Sequence, residues 1–235
     1  MYVSPEQLMK DRADYARQGI ARGRPIIVCS YATGIAFVGE NPSRSLHKIS
    51  EIYDRIGFAA VGKYNEFENL RVAGIRYADL RGFSYDRTDV TGRGLANAYA
   101  QTLGTVFTQE AKPYEIEIAV AQVGRSAEDD QIFRLTYDGS VSDKPGFVAM
   151  GRGSDLLSES LATRWTGSMT LAEVLALCVD LLQDVREDTD AAPLTGADFE
   201  IAVLDRRRPR RTFRRLQGPL LDSLLDPADP TYDVS

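Results

Sequence analysis

At 235 residues the chain is long enough for one domain with a substantial core, and it needs no disulfide or metal staple to fold. A formal net charge of −6, with 43% hydrophobic and 26% charged residues, excludes a disordered composition and gives no global attraction to nucleic acid. Two cysteines and one histidine exclude a disulfide framework and any metal site built on two histidines, so neither metal nor cofactor is expected.

The start, Met1-Tyr2-Val3-Ser4-Pro5-Glu6, has neither a basic n-region nor an apolar h-region. No apolar run approaches the roughly 18 residues that would span a bilayer, so a cytoplasmic protein is expected, with no membrane partner. Periodicity predicts a helix near 5 to 22, then strands near 26 to 31 and 35 to 39, hinged at Ala32-Thr33-Gly34. Further strand pattern runs through 46 to 62, and helices follow near 64 to 78 and 90 to 109. The second of these carries an apolar face at Leu95, Ala98, Tyr99, Thr102, Leu103, Val106 and Phe107. Pro113 ends the helical run.

A second strand group comes next. It comprises Glu115 to Val123, with alternating Ile116, Ile118 and Val120, then Ile132 to Tyr137, the turn Asp138-Gly139-Ser140, and Gly146 to Met150. Helices are predicted near 153 to 165 and 170 to 186. A polar stretch from Glu187 to Ala197 leads to a strand at Phe199 to Leu204, an Arg-rich turn and a last strand near Arg211 to Leu216. After Gly218 a short apolar helix with Leu220, Leu221, Leu224 and Leu225 gives way to Asp226-Pro227-Ala228-Asp229-Pro230, an acidic tail expected to fray.

Strands and helices come in groups, not in strict alternation, which argues for an α+β chain with antiparallel sheets and helices layered outside them. Two stacked sheets, each covered by a helix pair, would bury every apolar face named above, giving a four-layer αββα sandwich. The chain divides into an N-terminal tail and helix (1–22), the sandwich (23–217) and a C-terminal helix and tail (218–235). Cys29, in Ile26-Ile27-Val28-Cys29, and Cys178, on the stripe Leu171, Val174, Leu175, Cys178, Leu182 and Val185, read as core thiols.

Three long stretches carry a resemblance. One is Glu40-Asn41-Pro42-Ser43-Arg44-Ser45-Leu46-His47-Lys48-Ile49-Ser50, followed by Phe58-Ala59-Ala60-Val61-Gly62 and Lys63-Tyr64-Asn65-Glu66-Phe67-Glu68-Asn69. The others are Asp89 to Tyr114 and Arg206 to Leu216, and all lie behind the charged leader Pro5 to Arg22 that runs into Arg24-Pro25. In order and wording the chain resembles the α-subunit family of actinobacterial 20S proteasomes, a non-catalytic branch of the N-terminal nucleophile hydrolase fold. In the catalytic sister, the β subunit, a processed N-terminal threonine heads the first strand and attacks the peptide bond. The matching position here is about Arg24, mid-chain, so the resemblance implies a structural and gating subunit, not an enzyme.

What the resemblance implies is a core of stacked heptameric rings, with this chain in the outer rings beside its own copies and the proteolytic β subunits inside. A ring-shaped AAA ATPase would dock on the outer ring and feed unfolded, Pup-tagged substrates. Lys48 matches the lysine that meets the ATPase's C-terminal carboxylate between neighbouring subunits, a task suited to a flexible point charge. By itself, Leu46-His47-Lys48-Ile49 reads only as an exposed strand residue. Gly62 and Lys63 would line the same pocket, glycine by permitting close backbone approach and the helix N-terminus by favouring an anion. The gate would be Met1, Tyr2, Val3, Ser4, Pro5, Glu6, Gln7, Leu8 and Met9, which taken alone read as an ordinary frayed terminus. Glu40 and Lys48 fall near the sister's acid and lysine, yet without the threonine neither can carry proteolysis.

Two other readings come from different classes. A stand-alone N-terminal nucleophile hydrolase would require processing to expose Thr, Ser or Cys, and Arg24-Pro25 offers none. The cluster Arg206-Arg207-Arg208-Pro209-Arg210-Arg211 with Arg214-Arg215 invites nucleic acid. The acidic total, the Pro209 turn and the lack of interleaved aromatics beyond Phe213 favour instead a solvated hairpin facing an acidic neighbour, with no nucleic-acid partner. His47, with no legible nucleophile or orienting acid, reads as a solvent-facing histidine. Gly151-Arg152-Gly153-Ser154-Asp155 lacks a third glycine and reads as a tight turn with Ser154 or Asp155 as N-cap.

Overall fold

The computed structural model of the chain describes residues 4–43, 45–186 and 192–225. Ser4 caps the first helix, α1 (Pro5–Ala21), by accepting the Gln7 backbone N–H at 3.2 Å. Pro5 follows at the position where a missing N–H costs nothing. The amphipathic side of α1 buries Ala16 and Ile20 against Tyr137, with Ala13 and Phe107 packed alongside.

Ten strands follow the leader. In chain order they are β1 (Ile26–Tyr31), β2 (Gly34–Glu40), β3 (Ile49–Tyr53), β4 (Ile56–Gly62), β5 (Ile116–Gln122), β6 (Gln131–Leu135), β7 (Val141–Asp143), β8 (Phe147–Met150), β9 (Phe199–Asp205) and β10 (Phe213–Leu216). They form two five-stranded sheets, β10-β9-β2-β1-β8 and β3-β4-β5-β6-β7, with antiparallel pairing throughout. Strands such as β2 and β9 are buried along their whole length because each sheet is covered on both faces. Their near-continuous apolar runs follow from that double covering.

Between the sheets, Ile26, Val28, Ile35 and Phe37 from one side meet Ile49, Ala59, Val61 and Ala119 from the other. Helices α2 (Tyr64–Ser84) and α3 (Gly92–Gln109) cover the second sheet through Phe67, Leu70, Leu95, Tyr99 and Leu103. Helices α4 (Ser154–Arg164), α5 (Leu171–Asp184) and the short α6 (Pro219–Leu225) cover the first. The architecture is therefore the expected αββα sandwich. Cys29 and Cys178 are both fully buried in the outer core, their sulfurs 3.7 Å apart. Among the described residues no helix is long and apolar enough to cross a membrane.

Several local expectations shift. Helix α2 runs to Ser84, beyond the expected end near 78, because no proline or cap stops it; its last turns simply lose their apolar face, leaving Leu80 69% and Phe83 91% exposed. The buried stripe of α3 is Leu95, Ala96, Tyr99 and Leu103, while Thr102 faces solvent. Strand β6 stops at Leu135, since Asp138 accepts from the Thr136 hydroxyl at 2.6 Å and the Ser140 N–H at 3.0 Å, starting the turn early. Strand β7 has no apolar alternation to announce it. The N-cap of α4 is Gly153 in the left-handed region (φ 67°), in place of Ser154 or Asp155; Ser154 is already the first helical residue. Of the predicted loop and C-terminal tail, residues 187–191 and 226–235 lie outside the described residues.

Candidate functional site

One end of the sandwich gathers three backbone segments: the Gly23-Arg24 link from α1 into β1, the residues entering β3, and the exit of β4. Lys48 lies just before β3. Its carbonyl accepts the Ala60 N–H of β4 at 3.0 Å, and its own N–H donates to Glu200 at 2.8 Å. The ammonium lies 3.4 Å from the Arg24 carbonyl and 3.5 Å from that of Glu40, so its side chain is only loosely held. Burial first, and then the neighbouring Arg24 guanidinium, pull the Lys48 pKa down to about 8, against the opposing pull of Glu40 and Glu200.

Gly62 closes β4 with φ 113°, and an added Cβ would stand 1.9 Å from the Glu115 carbonyl oxygen. Only glycine fits there. The Gly62 nitrogen also lies 3.3 Å from where a Cβ on Gly23 would be, so the link that carries Arg24 toward Lys48 presses against the end of β4 as well. Lys63 caps α2 without a side-chain cap bond; its N–H donates to the Glu115 carbonyl at 3.1 Å, and its ammonium pairs with the Glu115 carboxylate. Lys112 reaches the same carboxylate at 3.0 Å and Glu66 at 2.6 Å. Burial works against the Glu115 charge, but the bonds from Lys63 and Lys112 bring its carboxyl below the ordinary value. Lys48 and Gly62 thus flank one backbone link, while Lys63 turns toward an acidic cluster of its own.

Arg24 stands at the head of β1, where the resemblance would put a nucleophile. Its guanidinium lies 3.2 Å from Glu40, whose other oxygen meets Arg152 at 3.2 Å. Both oxygens of Glu40 are thus engaged by guanidiniums, and among the described residues no hydroxyl or thiol is paired with them. His47 is not simply solvent-facing: its side chain is 40% exposed and its Nδ1 sits 3.2 Å from Glu200.

The expected gate falls into two parts. Met1, Tyr2 and Val3 lie outside the described residues. Ser4 is the cap, and Pro5, Glu6, Gln7, Leu8 and Met9 form the first turns of α1, with Leu8 and Met9 largely exposed. The helix is fastened just beyond them by Arg12, whose guanidinium donates to the carbonyls of Phe107 (2.9 Å), Glu110 (2.8 Å), Val106 (3.3 Å) and Ala111 (3.3 Å) at the end of α3.

The arginine cluster spends much of its charge inside the molecule. Arg206 pairs with Asp130 at 2.6 Å, Arg207 with Asp205 at 3.1 Å, Arg211 with Glu51 at 2.6 Å and Arg215 with Glu200 at 2.7 Å. Arg208 donates to the Phe213 carbonyl at 2.9 Å. Intramolecular acids thus engage part of the cluster that the sequence was expected to turn toward an acidic neighbour. Among the described residues no group of three His, Cys, Asp or Glu side chains is disposed to hold a metal ion.

Two concave regions exist elsewhere: an open one of about 960 Å³ around Arg55, Arg87 and Asp130, and one of about 500 Å³ bordered by Asn41, His47, Phe199, Glu200 and Leu221. The second adjoins the Lys48 segment, but neither is lined by Lys48, Gly62 or Lys63. Glu200, Arg152 and Arg215 were not singled out as site residues from the sequence. The one available signal was the charge of Glu200 inside the apolar run Phe199 to Leu204.

The model of the proteasome subunit family matches residues 22–204. A protein of Sanguibacter keddieii named proteasome subunit alpha is 66% identical over 95% of this chain and 88% of its own length. One of the same name from Kineococcus radiotolerans is 66% identical over 95% of this chain and 96% of its own. A third, from Thermomonospora curvata, is 58% identical over 95% of this chain and 96% of its own.

Proposed function

The chain belongs to the proteasome subunit family, and we propose that it is the non-catalytic α subunit of an actinobacterial 20S core. In this reading copies of the chain form the outer heptameric rings, β subunits carry the threonine nucleophile in the inner rings, and the particle works in the cytoplasm on unfolded, Pup-tagged substrates. The observation that carries it is the junction of α1 with β1: a folded helix precedes the first strand, and Arg24 occupies the head of that strand, bound to Glu40. A free amine and hydroxyl cannot be presented from such a position without chain cleavage.

The activity assigned is steric and electrostatic. Residues Met1 to Met9, which precede the Arg12 anchor in the chain, would close an axial pore when several copies meet. Lys48, with Gly62 and Lys63 at the same end, would receive the terminal carboxylate of a docked AAA ATPase. A partly desolvated ammonium attracts a carboxylate more strongly than one in open water. As the resemblance implies, the docking pocket would be completed by a neighbouring subunit.

The test compares peptidase activity of the chain alone, with a β partner, and with β after deletion of Met1 to Met9, read beside native mass spectrometry. Inactivity alone, a four-ring particle with β, and a jump in activity on deletion are expected. Activity of the isolated chain would overturn the reading.

A further inference from the structure

We infer that Glu200 is the positioning residue of the Lys48 site, an assignment that rests on reading Lys48 as the residue that receives the docking carboxylate. Glu200 is 8% exposed in β9, opposite Gly39 of β2, in a strand whose neighbours Phe199, Ile201, Ala202 and Val203 are apolar. A carboxylate so placed is destabilising unless its oxygens are satisfied. Here they are, and the donors come from the segment that carries Lys48. Oε2 accepts Asn41 Nδ2 at 2.8 Å and the Lys48 N–H at 2.8 Å. Oε1 accepts the Ile49 N–H at 3.1 Å and the Arg215 guanidinium at 2.7 Å, with His47 Nδ1 at 3.2 Å.

Two consecutive backbone N–H groups on one carboxylate fix the peptide orientation on both sides of the Lys48 Cα. Arg215 closes the other side by donating to the Ile49 carbonyl at 2.5 Å, and Asn41 ties back the Leu46 carbonyl at 2.8 Å. The Lys48 ammonium makes only long bonds of 3.4 and 3.5 Å of its own. Where the charge stands is therefore decided at the backbone, by Glu200, and not at the tip of the side chain.

Glu200→Gln tests this with little change of shape. The amide turns one accepting oxygen into a donor, which must then face either the Lys48 N–H and Asn41 or the Ile49 N–H and Arg215. Cores assembled with β are titrated with the ring ATPase, reading ATPase-dependent protein degradation; native mass spectrometry checks assembly. Glu200→Gln is expected to raise the half-saturating ATPase concentration about tenfold, about 1.4 kcal/mol, while the plateau is kept. A brace that merely stabilised the fold would reduce assembly instead. Asn41→Ala, which frees Oε2 on one side only, should raise it about threefold and decides the matter if the first variant does not assemble. In the double variant with Lys48→Ala the loss should not exceed that of Lys48→Ala alone, because the two residues act as one unit. Lys48→Ala raising half-saturation while Glu200→Gln and Asn41→Ala do not, or additive losses, would overturn the role of Glu200. No effect of Lys48→Ala would overturn the docking reading itself.

Discussion

Lys48 shows how much one half-buried amine can depend on its neighbours. Burial and Arg24 bring its pKa to about 8 from 10.5, so between those values the unfolded chain holds more protons than the folded one. Stability from this residue therefore rises with pH across that window, and the full cost of burying the charge is felt below it. Docking has the opposite sign, since a carboxylate needs the ammonium, and it is lost as pH rises through about 8. The half-saturating ATPase concentration should accordingly rise about tenfold from about pH 7 to about pH 9, measured as the ratio to a Lys48→Arg core, whose guanidinium stays charged. Lys48 was legible in the sequence only through the wording around it. Glu200 was not, because a lone charge in an apolar strand does not say which distant segment satisfies it. Its donors come from Asn41, Lys48 and Ile49, some 150 residues earlier in the chain.

At the scale of elements, α1 was the easiest to read and the hardest to place. Periodicity gave its span, yet nothing in a charged stretch indicated that Arg12 would reach the carbonyls at the far end of α3. That one guanidinium meets four carbonyls at and just past the end of α3: those of Phe107, Glu110 and Ala111, and that of Val106, which also accepts the Glu110 N–H. Arg12→Ala is expected to loosen α1 by roughly 1–3 kcal/mol, seen as faster hydrogen exchange over Pro5–Ala21 with β1 and β2 unchanged. Equal protection in both proteins would show that Ala16 and Ile20 hold the helix unaided. Within the expected gate, Pro5 to Met9 are the first turns of this helix, so a gate moving there must bend or fray a capped helix. The overrun of α2 past residue 78 teaches the same lesson from the other side, since apolar periodicity reports burial and not helix length.

For the whole molecule, the seam between the sheets carries the fold. Phe37 of β2 is fully buried there, and an added Cβ on Gly57 of β4 would stand 2.6 Å from its ring. So close a packing leaves little room to collapse around a deletion. Phe37→Ala should cost about 3–5 kcal/mol in denaturant unfolding of the assembled or isolated subunit, more than any change on the surface. A loss below about 1 kcal/mol would mean that the two sheets close up freely, contrary to the density of the seam.

The sequence by itself determined the type of each helix and of every strand but β7, the antiparallel grouping and the absence of a nucleophile at the head of β1, because these depend on local periodicity, turn chemistry and the identity of one residue. It also carried the family, through long matched stretches. Only the tertiary structure decided that Arg206, Arg207, Arg211 and Arg215 answer internal acids, that Lys63 turns to Glu115 while Lys48 stays loosely held, and that Glu200 governs the segment before β3. Each of those outcomes is a choice of partner between residues remote in sequence, and electrostatic pairing depends on distance and burial, which the chain acquires only when the two sheets have stacked.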